Sequence, residues 1–184
     1  MRLRFLSSNP NKIAEAKAIL TDAGHELAAV RTKLDEMQSD DVELLVRDKT
    51  IRAFRLIGRP VFVEHTGLFI DALNGFPGGL TQIFWDRLGA DRIARLFSRE
   101  DGGRAVARTR IGYCDGRCVH QFEGEVRGRL APEPRGDRSQ WDCIFILEGS
   151  NQTFAEMGER KNEVSMRRKA LECFAAFLSE ADDD

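Results

Sequence analysis

A carboxylate and an imidazole stand side by side at Glu64-His65, directly after the apolar run Val61-Phe62-Val63. A short apolar run reads as a buried strand, and ligands of open α/β sheets gather beyond the carboxyl ends of strands. The carboxylate can hold a hard cation. The neutral imidazole can hold a softer one, or act as a general base near neutral pH. The segment continues through a second apolar stretch into Asn74-Gly75-Phe76-Pro77-Gly78, where Asn-Gly and Pro-Gly mark a turn. Charged groups, turn residues and the aromatic Phe76 packed this closely point to a ligand site on a rigid scaffold.

Four further constellations could do chemistry. Ser8-Asn9-Pro10-Asn11-Lys12 is helix-start chemistry. Ser8 or Asn9 can cap, and Pro10 suits the first turn. The free N–H groups there, with Lys12, would bind phosphate, although any capped helix with a solvated lysine has the same groups. Asp35, Glu36, Asp40 and Asp41 form an acidic connection that could hold magnesium or simply face water. Trp141-Asp142 could stack on a base and accept from its edge, or be a core tryptophan beside a capping aspartate. Lys161, Arg167, Arg168 and Lys169 gather at a helix start, where the dipole disfavours cations, so an anion nearby is the functional reading and a solvated basic face the plain one.

The elements that must position these groups follow from periodicity. Arg2–Leu6 reads as a strand, Pro10 to Gly24 as a helix and its stop, and Glu26–Val30 as a second strand. The pattern predicts an amphipathic helix from Val42 to Ile57, stopped by Gly58-Arg59-Pro60, and the short strand Val61–Val63. Gly79 to Phe97 is helical, broken near Gly89. Ala105–Tyr113 and Val119–Leu130 form a hairpin about Asp115-Gly116. Trp141–Leu147 reads as a strand, Val164–Leu178 as the last helix, and 181–184 as a frayed acidic tail. Helices alternate with strands early and a hairpin comes late, which predicts one α/β domain over 1–180 with a mixed sheet.

Composition excludes other classes. The chain has 184 residues, 42% hydrophobic and 32% charged, which is globular. No apolar run reaches the roughly 18 residues of a membrane span, and the first apolar stretch is too short for a signal peptide, so no membrane and a cytoplasmic place are expected. A net charge of −2 argues against a general nucleic-acid partner. Cys114, Cys118, Cys143 and Cys173 lack zinc spacing and read as reduced thiols.

In order and spacing these fragments resemble the inosine triphosphate pyrophosphatase family, from about Phe5 to about Leu171. Ser8-Asn9-Pro10-Asn11-Lys12 is similar to its phosphate-binding start. Leu34-Asp35-Glu36-Met37-Gln38 resembles the segment with its metal-binding glutamate, and Lys49 falls where a lysine reaches the phosphates. Phe122-Glu123-Gly124, Pro134-Arg135-Gly136, Trp141-Asp142, Thr153 to Met157, Lys161 and Ser165-Met166-Arg167 resemble its later segments. The resemblance implies an elongated mixed sheet flanked by helices, two lobes with a nucleotide-binding cleft between them, and a homodimer. It implies attack of water on the α-phosphorus of non-standard purine nucleoside triphosphates, giving monophosphate and pyrophosphate with magnesium. By the same analogy Glu36 and Glu64 hold the cation, and Glu64, His65 and Lys49 serve the chemistry. Ser8, Asn9, Lys12, Phe76, Trp141, Asp142, Lys161, Met166 and Arg167 meet the substrate.

Three positions depart from the family pattern. His65 stands where it has an aspartate, Met166 where it has histidine, and Cys143 where it has proline. Histidine favours manganese over magnesium as partner. The departures leave room for two other readings, a different reaction on a bound nucleotide (glycosidic-bond cleavage or another phosphate hydrolysis) and a catalytically silent nucleotide-binding protein.

Overall fold

A computed structural model describes residues 2–99 and 103–182. One seven-stranded sheet runs through them. β1 (Arg2–Leu6) lies between β2 (Glu26–Val30) and β3 (Val61–Ile70), parallel to both. β4 (Pro77–Gly78) pairs with the end of β3. β5 (Arg104–Cys114), β6 (Val119–Leu130) and β7 (Phe145–Leu147) continue from β3 in antiparallel sequence.

Helices cover both faces. α1 (Pro10–Asp22) and α6 (Met166–Asp182) pack with β1 around Leu3, Leu20 and Phe174. α2 (Val42–Ile57) covers Val61 and Val63. α3 (Thr81–Phe97) joins the far ends of β3, β5 and β6 in a separate core around Ile70, Ile93 and Phe145. α3 is kinked at Gly89, where φ is 70°. α4 (Phe154–Met157) and α5 (Lys161–Val164) are single turns beside that second core. The helix-rich end and the α3 end thus have their own apolar cores, joined by the long strands β3, β5 and β6.

Three sequence expectations are corrected. β3 does not stop at Val63 but continues for ten residues, so Glu64 and His65 lie inside it. β1 pairs with β3 only at Phe5 and Phe62, so from Glu64 onward that edge of β3 is free of β1. Glu64 therefore does sit where the parallel part of the sheet ends, as the crevice rule requires. Trp141–Ile144 is a 3₁₀ turn, and only Phe145–Leu147 is strand. The last helix starts at Met166, because Ser165 is extended and accepts a hydrogen bond from the Arg168 N–H at 3.1 Å. Of the expected acidic tail, Ala181 and Asp182 belong to this helix, and Asp183 and Asp184 lie outside the described residues.

Candidate functional site

The alternation of side chains along β3 divides the site into two faces. Glu64 and Thr66 point one way, toward α1 and α6, where Lys12 and Arg167 meet Glu64. His65 points the other way, toward the 31–41 connection and Gly79.

On the first face, Glu64 is 4% exposed and both its oxygens are engaged. Oε1 accepts from the Thr66 hydroxyl at 2.7 Å and lies 3.1 Å from Lys12 Nζ. Oε2 accepts from Arg167 Nε at 2.9 Å. Thr66 spends its proton on Glu64, so Thr109, 2.7 Å away, donates to Thr66 in turn. Arg167 also donates from its NH1 nitrogen to Glu15 Oε2 at 2.6 Å. Burial works against each of these charges, and the partners win for two of them. Arg167 and Lys12 hold the Glu64 carboxyl well below its usual range. Glu64 and Glu15 raise Arg167 further above its own. For Lys12 burial prevails, aided by Arg167 and Lys49 and opposed by Glu64, and its ammonium is lowered.

On the second face, Lys49 Nζ, delivered by α2, donates to Glu36 Oε1 at 2.6 Å and to the Glu64 carbonyl at 3.2 Å. His65 Nε2 lies 3.1 Å from the Gly79 carbonyl. A carbonyl only accepts, so the proton is on Nε2, and the neutral ring turns the Nδ1 lone pair toward Glu36 Oε2, 3.7 Å away. Gly79 is required: a Cβ there would lie 2.1 Å from the Ser39 carbonyl. A second proton on the ring, at Nδ1, would give Glu36 a hydrogen bond from His65, and that bond is the first cause that lowers the Glu36 carboxyl to about 2, against burial and with help from Lys49.

Both faces open into one cleft of about 1220 Å³. Ser8, Asn9, Lys12, Glu36, Lys49, Glu64 and His65 line it on the side of α1 and α2, and Trp141, Asp142, Lys161, Met166 and Arg167 complete it. Asn9 caps α1, accepting from the Asn11 and Lys12 N–H groups at 2.9 and 3.2 Å, and Ile13 N–H donates to the Asn9 carbonyl, so the first-turn N–H groups expected to be free for phosphate already have acceptors and Lys12 is the donor that remains. Lys161 is paired with Asp142 and lies 5.4 Å from the centre of the Phe154 ring. Trp141 is 8% exposed and meets Phe145 edge-on at 5.8 Å, so it is mainly a core residue with a rim in the cleft.

Some expected site residues are placed differently. Phe76 is exposed, packs edge-on against Phe84, and is not among the described cleft-lining residues. Met166 is 1% exposed within the second core, which leaves little of it to meet a ligand. Arg167, expected to hold substrate, is committed to Glu64 and Glu15. Glu64, expected to hold a cation, has a cation on each oxygen already. Arg168 lines the cleft but is paired with Glu172, and Lys169 donates to the Glu125 carbonyl. Asp41 caps α2. The anions that meet the basic cluster at the start of α6 are the protein's own carboxylates, Asp142 for Lys161, Glu15 and Glu64 for Arg167, and Glu172 for Arg168. Glu15, Thr66 and Thr109 were not singled out in the sequence. Only Glu15 left a signal there, three residues from Lys12 on one helical face.

A divalent cation is implied by the family resemblance, and the residues fit one at a single place. Glu36 Oε2 and His65 Nδ1 face each other without a hydrogen bond. The other histidine nitrogen donates to a backbone carbonyl, as metal-bound histidines do.

Comparison with known proteins gives a consistent result. Residues 3–177 match the model of the Ham1 family. A dITP/XTP pyrophosphatase of Methanopyrus kandleri is 43% identical over 181 residues, covering 96% of both chains. The inosine triphosphate pyrophosphatase 1 of Trypanosoma cruzi is 39% identical over 182 residues, 96% of this chain and 92% of that one. Among solved structures, a HAM1 protein from Coxiella burnetii superposes with a TM-score of 0.81 at 26% identity, covering 98% of this chain and 99% of that one.

Proposed function

The chain belongs to the Ham1 family, and we propose that it is a pyrophosphatase acting on non-standard purine nucleoside triphosphates, ribo- or deoxyribo-, to give the monophosphate and pyrophosphate. The observation that carries this is the cleft itself. It joins the start of α1, Lys12 and Lys49 to Trp141, Asp142 and Lys161 in one continuous lining. A nucleoside triphosphate has the matching chemistry, with an anionic tail and an aromatic, hydrogen-bonding head.

In this reading Lys12 and Lys49, with the positive dipole end of α1, bind the phosphates and draw charge from the α-phosphorus as water attacks. The bond from that phosphorus to the bridging oxygen breaks, and pyrophosphate leaves with the electron pair. Glu64 and Glu36 hold the two lysines at their posts by 3.1 and 2.6 Å contacts, so the cations are oriented before substrate arrives. Asp142 accepts from the base edge, and Lys161 donates to it. When bound, a divalent cation, magnesium or manganese, neutralises phosphate oxygens and acidifies its water. Glu36 and His65 would hold it. The reading includes a homodimer in the cytoplasm, as the resemblance implies. Among the described residues no helix is long and apolar enough to cross a membrane.

The test is product analysis by mass with inosine, xanthosine and deoxyinosine triphosphates and either metal. Monophosphate and pyrophosphate in one-to-one ratio support the proposal. Orthophosphate with a diphosphate, a free base, or nucleotide binding without turnover would overturn it.

A further inference from the structure

We infer that the cation site of this chain is a mixed nitrogen–oxygen pair, His65 Nδ1 with Glu36 Oε2, that prefers manganese-like cations to magnesium, and that Glu64 is no cation ligand. The inference deepens the proposed function and rests on it only for the cation's purpose. The site itself stands on geometry.

The first observation is the His65 ring. Its Nε2 is fixed on the Gly79 carbonyl at 3.1 Å, and the backbone of Gly79 lies so close to Ser39 that a Cβ there would come within 2.1 Å of the Ser39 carbonyl. The ring is therefore held with Nδ1 facing Glu36 Oε2 at 3.7 Å. A neutral imidazole lone pair and a carboxylate oxygen repel unless a positive centre, a proton on Nδ1 or a metal cation, lies between them. Two donors bound to one cation, each about 2.1 Å from it, lie roughly 3.0–3.6 Å apart. The observed separation of 3.7 Å lies just beyond that range, so a slight closure about a cation suffices.

The second observation is where the remaining carboxylate went. Glu64 faces the opposite side of β3, with Lys12 and Thr66 on one oxygen and Arg167 on the other. A cation at Glu64 would have to displace Lys12 or Arg167 from a buried pair. Among the described residues no three of His, Cys, Asp and Glu gather into a metal cluster. The protein thus offers two donors, and the rest of the shell is open to water and phosphate oxygens.

The third observation is charge. Lys49 sits on Glu36 at 2.6 Å and cancels most of the pull of its carboxylate. Magnesium is bound through hard anionic oxygens and gives up its water reluctantly, so one neutralised carboxylate holds it weakly. Manganese, a first-row transition ion, takes an imidazole nitrogen more readily than magnesium does, although it stands lowest of those metals in the affinity order and iron, nickel or zinc would gain more. An aspartate at position 65 would reverse this by adding oxygen and negative charge.

The experiment is electron paramagnetic resonance of Mn²⁺ with the whole protein and no nucleotide, so its result is independent of which reaction is catalysed. Bound Mn²⁺ should show nitrogen-14 coupling by electron spin echo modulation. His65→Ala should abolish the coupling and weaken Mn²⁺ by about tenfold or more, the loss of one of two donors. Glu36→Gln should weaken Mn²⁺ similarly while leaving any residual coupling in place. Mg²⁺ should displace Mn²⁺ only in large excess from the wild type, and far more readily from His65→Asp. Thermal melting checks that each variant folds, and His65→Gln replaces His65→Ala should that one not fold. No Mn²⁺ bound at millimolar concentration, bound Mn²⁺ without nitrogen coupling, or unchanged affinity in a folded His65 variant would overturn the assignment. So would loss of Mn²⁺ in Glu64→Gln equal to that in Glu36→Gln.

Discussion

Replacing Arg167 by methionine should damage folding before it damages substrate affinity. The guanidinium side chain is 8% exposed and bridges two carboxylates that are nearly as buried, Glu64 at 3% and Glu15 at 10%. Methionine fills much of the volume and removes the charge, leaving two anions facing each other inside the protein. Breaking a buried pair by deleting one partner costs about 3–5 kcal/mol. Lys12 still neutralises Glu64 from 3.1 Å, which argues for the low end. At about 3 kcal/mol, and about 2–4 °C per kcal/mol for a chain of this size, the melting temperature should fall by roughly 6–12 °C. Glu15 has no other cation among the described contacts, so its stranded charge should be the larger part. Adding Glu15→Gln to Arg167→Met should therefore raise the melting temperature above that of Arg167→Met alone, a favourable coupling between neighbours. The assay is thermal melting of wild type, both singles and the double, with urea titration as a second measure. A folded Arg167→Met within about 2 °C of wild type, or a double variant below both singles by the sum of their losses, would refute the account.

Lys161 should behave in the opposite way. Lys161→Met loses a charge-assisted hydrogen bond at the cleft, on the order of 1.5–3 kcal/mol, so KM should rise roughly tenfold or more, with a smaller fall in melting temperature than Arg167→Met. In the hairpin turn, burial works against the Asp115 carboxylate, but the Cys118 N–H, His120 and the Arg117 N–H donate hydrogen bonds to it and hold its pKa at about 2. Its stabilisation is then complete above about pH 4 and is lost as pH falls through about 2, so the melting gap between wild type and Asp115→Ala should close over that window. Burial raises the Cys143 thiol to about 11, whereas Cys118 and Cys173 are exposed. Brief alkylation at pH 8 followed by mass mapping should label Cys118 and Cys173 and spare Cys143, and equal labelling would contradict the described packing.

Where local chemistry decided the outcome, the sequence was readable. Asn9 before Pro10 sets the start of α1, Gly58 adopts the left-handed conformation that ends α2, and Asp115-Gly116 turns the hairpin. Where long-range partners decided it, the sequence was silent. The polar triplet Glu64-His65-Thr66 reads as the end of an apolar strand, yet β3 runs through it, because β5 pairs along its whole length and each polar side chain finds a partner on its own face. Trp141-Asp142-Cys143-Ile144 has strand-like composition but folds as a tight turn. The Arg167 contacts depend on α6 lying close over β6 at Gly124, where a Cβ would come within 2.2 Å of the Met166 carbonyl. No local pattern announces an approach between residues so far apart in the chain.

The same long-range contacts explain how charged groups can be gathered so densely in the cleft. Glu15, Glu36 and Glu64 balance Lys12, Lys49 and Arg167, so the cluster is neutral while His65 is neutral. A neutral cluster can be buried at tolerable cost, and each lysine is held by a carboxylate in the place where a phosphate would need it. An arriving polyphosphate adds acceptors to lysines already oriented. In this arrangement the identity of residue 65 sets the balance. An aspartate would leave the cluster one charge negative, and a magnesium ion would be the natural way to restore neutrality. Histidine removes that demand and supplies a directed lone pair instead, so the pull on a cation becomes a matter of nitrogen affinity rather than of charge. The replacement at position 65 is thus coupled to the whole ion-pair network, and its effect on metal preference should persist as long as Lys49 and Gly79 hold Glu36 and the imidazole in their present positions.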